Sequence, residues 1–89
     1  MRLDRAVDAY VRHISVERGL SDHTVAAYRR DLRAFLDAAA ERGVTDAAGL
    51  DPDAVRTYVV SLRDRTQPLK ASSTARVISS IRGFTRFLV

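Results

Sequence analysis

Between Ser21 and Gly43 the apolar residues Val25, Tyr28, Leu32, Phe35, Leu36 and Ala39 recur three and four apart. That period places them on one face of an α-helix. Ser21 can accept a bond from an early backbone amide, and Asp22 puts a negative charge in the first turn. Arg42 stands near the negative end of the helix dipole, and Gly43 follows as a left-handed stop. Such a helix is about 30 Å long at 1.5 Å per residue, which is long for a chain of 89 residues. A chain of this size forms at most one domain and buries roughly 60–65% of its unfolded surface, enough for one modest core.

Three more helices complete an all-α reading. The first runs from about Leu3 to Arg18, with Leu3, Val7, Tyr10 or Val11, and Ile14 on its stripe and Gly19 as its stop. Leu20 then packs back as the apolar contact beyond the cap. Val44 to Leu50 reads as a connection with a possible short turn. Asp51 caps the third helix and Pro52 takes its first position, where a missing N–H costs nothing. Val55, Tyr58, Val59 and Leu62 form its buried face. A loop from Arg65 to Ala71, containing Pro68, leads to a fourth helix capped by Ser72 or Ser73. Its stripe is Val77, Ile78, Ile81, Phe84, Phe87 and Leu88, and the chain ends at Val89 without a C-terminal cap.

Charge is unevenly placed. The last 25 residues hold Arg65, Lys70, Arg76, Arg82 and Arg86 and no acid, whereas the first 64 carry ten arginines against eleven carboxylates. The net charge of +4 therefore resides in the tail. A one-sided basic surface on a helical domain points to a polyanion. Fourteen of the fifteen basic residues are arginine and alanine is abundant, the taste of a GC-rich genome, so placement weighs more than amount.

On the second helix the polar side is Asp22, Ala26, Arg29, Arg30, Arg33 and Asp37, and the three arginines lie within one turn of each other. On the fourth, Ala75, Ser79, Arg82 and Arg86 turn away from the apolar stripe, and Arg76 stands at their edge. If the two helices cross, both arginine rows line one surface. The small residues Ala26, Ala75, Ser79 and Ser80 then let a backbone approach. Arginine offers a forked donor set for phosphate or for guanine. The plainer reading is a solvated face in which arginines pair with Asp31, Asp37 or Glu41; Arg33 and Asp37 stand at i,i+4. The functional reading needs these guanidinium groups to converge on one solvent-facing side; scattering Arg29, Arg33, Arg76 and Arg82 to opposite poles, or tucking them into ion pairs with carboxylates, would end it.

Tyr28 reads first as a core ring with its hydroxyl at the rim and second as a phosphate contact. Tyr10 and Tyr58 read as core or half-buried. Ser21, Thr24, Ser72, Ser73 and Thr74 are first-turn residues whose default role is capping, and the same helix ends are natural phosphate seats. The absence of cysteine excludes disulfides and thiolate chemistry and fits a cytoplasmic protein. His13 and His23 lie on different helices without a ligand spacing, so neither a metal nor a cofactor is expected, and no membrane span is read. No phosphate-loop, dinucleotide or nucleophile motif is present.

The run Ser21-Asp22-His23-Thr24-Val25-Ala26-Ala27-Tyr28-Arg29-Arg30-Asp31-Leu32 resembles the start of the core-binding domain of Xer-type tyrosine recombinases. Its S-x-x-T-x-x-x-Y-x-x-D-L pattern is met at every specified position. Ser72-Ser73-Thr74, Arg76, Ser79, Arg82, Phe84, Phe87 and Leu88 resemble the family's later helix. The resemblance covers Leu3 to Val89, and the Ala- and Arg-rich composition is similar to that of actinobacterial members.

The resemblance implies a four-helix, SAM-like orthogonal bundle over residues 1–89. It also implies binding of double-stranded DNA at a recombination core site as the N-terminal half of a clamp. The implied DNA-binding residues are Thr24, Tyr28, Arg29, Arg30, Arg33, Ser73, Thr74, Arg76, Ser79 and Arg82. The catalytic tyrosine and its cationic partners belong to a C-terminal domain absent from this sequence, so the chain is not expected to be an enzyme alone. The implied partners are DNA, that catalytic domain and a second recombinase in a DNA-bound tetramer. The implied setting is chromosome partition at cell division, with phage and transposon integrases sharing the domain design. A competing reading is a helical protein-interaction domain using the apolar residues near Phe87 and Leu88. Replacing Arg76 and Arg82 with alanine is expected to cut DNA affinity and leave helicity intact.

Overall fold

The computed structural model describes residues 1–64 and 70–88. Helix α1 spans Leu3–Glu17, α2 Asp22–Glu41, α3 Pro52–Arg63 and α4 Ala71–Leu88, with one 3-10 turn at Ala47–Gly49. This is the expected all-α, four-helix arrangement, short turn included. The loop conformation expected at residues 65–69, the charge of Arg65 and the apolar end at Val89 lie outside the described residues.

Local chemistry sets most boundaries. The Thr24 backbone N–H donates to Ser21 Oγ at 3.3 Å, and Ala54 N–H donates to the Asp51 carboxylate at 2.8 Å ahead of Pro52. Gly19 and Gly43 adopt φ of 59° and 80°, the left-handed values that end α1 and α2. Asp46 caps the 3-10 turn by accepting Ala48 N–H at 3.0 Å. The start of α4 needs correction. Thr74 N–H already bonds to Lys70 C=O at 2.9 Å, so Ala71 opens the helix. Ser72 and Ser73 stand inside its first turn rather than capping it.

The chain's first residues hold a feature with no local signal. Arg2 pairs antiparallel with Asp46, Leu3 N–H donates to Thr45 C=O at 3.0 Å, and Ala47 N–H donates to Met1 C=O at 2.9 Å. The start of α1 is thereby bonded to the connection after α2.

The core is built from every helix. Helix α1 contributes Leu3, Ala6, Val7, Tyr10, Val11 and Ile14; α2 contributes Ala27, Leu32, Phe35 and Ala39. Tyr58 and Leu62 come from α3, and Val77, Ile81 and Phe84 from α4. Phe35 meets Tyr58 edge-on at 5.1 Å between ring centres, and Tyr10 lies 5.9 Å from Phe84. Leu20, Val25, Tyr28 and Leu88 pack partly buried around this set.

Two residues of α4 depart from a simple outward face. Ser80, expected among the small exposed residues, is fully buried and donates its hydroxyl to Val77 C=O at 2.7 Å. That bond removes the penalty of a buried polar group. Gly83 sits in mid-helix because the Tyr10 hydroxyl occupies the place where a Cβ would be.

Candidate nucleic-acid interface

Helix α2 has two flanks, and the structure closes them differently. Successive residues are turned by about 100°, so Arg29 and Asp31 point to opposite sides of the helix. Asp31 faces α4, where Arg76 grips it with a fork. Arg76 Nε donates to Asp31 Oδ2 at 2.8 Å and Nη2 donates to Oδ1 at 3.1 Å. The Asp31 side chain is 9% exposed and that of Arg76 39%. Those hydrogen bonds push the Arg76 pKa up, against a smaller opposing effect of burial. A guanidinium has five N–H donors. The pair to Asp31 leaves Nη1 and half of Nη2 available on the open side.

The other flank faces α1. Arg29 Nη1 donates to Asp8 Oδ1 at 2.7 Å, and Arg33 Nη2 approaches the same oxygen at 3.6 Å. The three side chains are 40%, 56% and 47% exposed for Arg29, Arg33 and Asp8. The carboxylate partner of Arg33 is thus Asp8 on another helix, not Asp37 at i,i+4.

The expected row of free, converging arginines is therefore corrected: Arg29, Arg33 and Arg76 each pair with a carboxylate, so the charge pattern by itself no longer argues for a DNA face. Arg29 and Arg33 turn toward α1, and Arg76 turns toward α2. Arg82 borders a hollow with Pro52, Val55, Arg56, Val59 and Val60 of α3. Among the described residues, Arg30 and Arg82 form no ion pair. Both are exposed, as are Ala26, Ala75, Ser79 and Arg86, so the outer faces of α2 and α4 have the small and basic character read from the sequence.

The remaining predicted residues sit at the crossing and the helix ends. Tyr28 is half-buried against the core and near the Arg76 charge. The Thr24 hydroxyl lies 3.0 Å from Ser21 Oγ, so both belong to the cap of α2. Ser73 and Thr74 are half-buried in α4. Helices α1, α2 and α3 each carry an aspartate in the first turn; α4 carries none. Its positive N-terminal dipole is therefore unopposed by an acid of its own. Sequence reasoning missed Asp8, because nothing local ties it to an arginine 21 residues later.

Among the described residues, no group of three His, Cys, Asp or Glu is placed to hold a metal ion, and no helix is long and apolar enough to cross a membrane.

Comparison with known proteins adds a second kind of observation. The family described as phage integrase, N-terminal SAM-like domain, matches residues 7–89. The tyrosine recombinase XerD of Mycobacterium tuberculosis is 37% identical over 86 residues, covering 91% of this chain and 28% of that protein. XerC of Pseudomonas aeruginosa is 38% identical over 89 residues, 100% of this chain and 28% of the relative. XerD of Staphylococcus aureus is 34% identical over 87 residues, 98% and 29% respectively. The chain thus spans less than a third of the length of these relatives. No solved structure gives a significant match.

Proposed function

The chain belongs to the phage integrase N-terminal SAM-like domain family, and from that premise we propose that it binds double-stranded DNA as the N-terminal part of a Xer-type site-specific recombinase. The observation that carries this reading is the likeness, along nearly the whole chain, to proteins named tyrosine recombinases.

In this reading a duplex lies across the outer faces of α2 and α4. Arg30, Arg76 and Ser79 border the middle, with Arg29 and Arg33 toward one margin and Arg82 toward the other. Ala26, Ala75 and Ser79 let the sugar-phosphate backbone come close. The hydroxyls of Thr24, Ser73 and Thr74 and the amides of the α4 N-terminus supply neutral phosphate donors. Tyr28 acts by holding the crossing in place, with its hydroxyl toward the rim.

The chain forms one half of a clamp at a recombination core site. A separate catalytic domain, within the length that the relatives have beyond this region, supplies the tyrosine that attacks the phosphodiester. A DNA-bound tetramer with a related recombinase, acting in the cytoplasm during chromosome partition, completes the proposal. No step of strand cleavage is assigned to Tyr10, Tyr28 or Tyr58; the first and last are buried in the core.

Titration of the 89-residue chain into labelled duplex DNA at several salt concentrations tests the reading. Half-clamp binding is expected at about 10⁻⁴–10⁻⁶ M, with log affinity falling by about 0.9 per phosphate neutralised for each tenfold rise in salt. Absence of binding at roughly 50 mM salt would overturn it. The alternative of a protein-interaction domain draws on Phe87, which is 38% exposed; that reading predicts no DNA binding at any salt.

A further inference from the structure

We propose that Asp8 is a resident competitor in a phosphate seat: its carboxylate sits between Arg29 and Arg33 where a DNA phosphate oxygen would sit. This inference rests on the DNA-binding reading and assigns one contact within it.

Arg29 and Arg33 stand one turn apart on α2, and both reach the same oxygen, Asp8 Oδ1, at 2.7 and 3.6 Å. The oxygen is hydrogen-bonded by Arg29 and lies within ion-pair reach of Arg33; two arginines converging on one anionic oxygen is an arrangement also used on phosphate. One carboxylate charge serves two arginines, so the cluster keeps a net charge of +1. All three side chains are open to water, in contrast with Asp31 at 9% exposure. Exposed pairs add little to stability, so their anion is exchangeable.

The surrounding charges are mixed: Asp37, an unpaired carboxylate among the described residues, lines one hollow with Arg33 and opposes an anion there. Asp4 on α1 is engaged with Arg2. Arg30, on the same ridge as Arg33, has no carboxylate of its own among the described residues. A duplex brings a line of phosphates with a condensed counterion layer, and releasing those ions favours binding. The cluster must part from Asp8 to accept a phosphate, and the displaced carboxylate then repels it. Asp8 thereby lowers affinity for any duplex and weakens non-specific contacts.

The test compares duplex binding by the unaltered chain, Asp8→Asn and Asp37→Asn at about 50 mM salt. Asparagine keeps the size of Asp8 and removes its charge. Asp8→Asn is expected to bind about 3–10-fold tighter than the unaltered chain, since each exposed pair is worth up to about fivefold. Asp37→Asn changes net charge equally and is expected to gain less. The gain from Asp8→Asn should vanish in an Arg29→Ala/Arg33→Ala background. A gain no larger than that of Asp37→Asn, a weaker-binding Asp8→Asn, or a gain that survives loss of both arginines overturns the inference. Failure of the unaltered chain to bind DNA sinks the functional reading and this inference with it. Binding without a specific Asp8 effect sinks the inference alone.

Discussion

The two flanks of α2 carry the same chemistry to different ends. Toward α4, Asp31 is withdrawn from water and held by two bonds from Arg76. Toward α1, Asp8 is half exposed and shared between Arg29 and Arg33. Breaking a buried pair leaves an uncompensated charge and is costly, whereas exposed pairs contribute at most about 1 kcal/mol. The difference teaches that an arginine–aspartate distance says little about role until exposure is known. The α4 flank is a fastening between helices, and the α1 flank is a charge cluster open to exchange.

Arg76→Ala gives the largest way to break this comparison. It strands the Asp31 carboxylate, and with Arg76 itself 39% exposed the expected loss is about 2 kcal/mol, below the 3–5 of a fully buried pair. Urea unfolding measures it, and a loss under about 0.5 kcal/mol would make the two flanks equivalent. This revises the expectation that Arg76→Ala acts on DNA affinity alone. Gly83→Ala sets a volume effect, at the contact between α4 and α1, beside that charge effect. The new methyl meets the Tyr10 hydroxyl, so overpacking of about 1–3 kcal/mol outweighs a gain of about 1 kcal/mol in helix propensity. Adding Tyr10→Phe should recover part of the loss in the same unfolding experiment.

Arg82 lies on neither flank and serves as the cleaner probe of DNA. Arg82→Ala should weaken duplex binding about 3–5-fold and lower the salt slope by about 0.9, while thermal unfolding stays unchanged. The smallest effect belongs to Arg29→Ala. It should cost no more than about 0.5 kcal/mol in stability, and that cost should disappear in about 0.5 M salt, whereas the loss from Arg76→Ala persists. A salt-resistant Arg29 effect would show that the α1 flank is a fastening too.

The helices were legible because each signal acts over a few residues. Ser21, Gly43 and the Asp51-Pro52 pair satisfy or end backbone bonding within one turn, and each stands where the sequence placed it. The apolar period likewise found Leu32, Phe35, Val77 and Phe84 in the core. The misses share a different cause. Periodicity tells which face of a helix is apolar but not which neighbour lies along either edge of that face. Asp31 does pair with an arginine, as the plainer reading has it, but its partner Arg76 lies 45 residues away and Asp8–Arg29 joins residues 21 apart, so both pairings depend on helix crossings. Ser80 was misplaced because a hydroxyl that bonds to its own helix can be buried without a distant partner. Gly83 carried a signal, a glycine at mid-helix, whose meaning emerged only when Tyr10 arrived from α1.

The antiparallel bridge between Arg2 and Asp46 fixes where the polypeptide enters the fold. It enters beside the connection after α2, about 15 Å along that helix from Asp31, counting the ten residues to Glu41 at 1.5 Å each. Arg2 and Asp4 line one hollow with Arg33 and Asp37, so a fluorophore or purification handle grafted ahead of Met1 would emerge beside the Arg33 margin and crowd a duplex bound there. The same graft would tug on the Leu3–Thr45 backbone bond, so a short flexible spacer belongs between handle and fold.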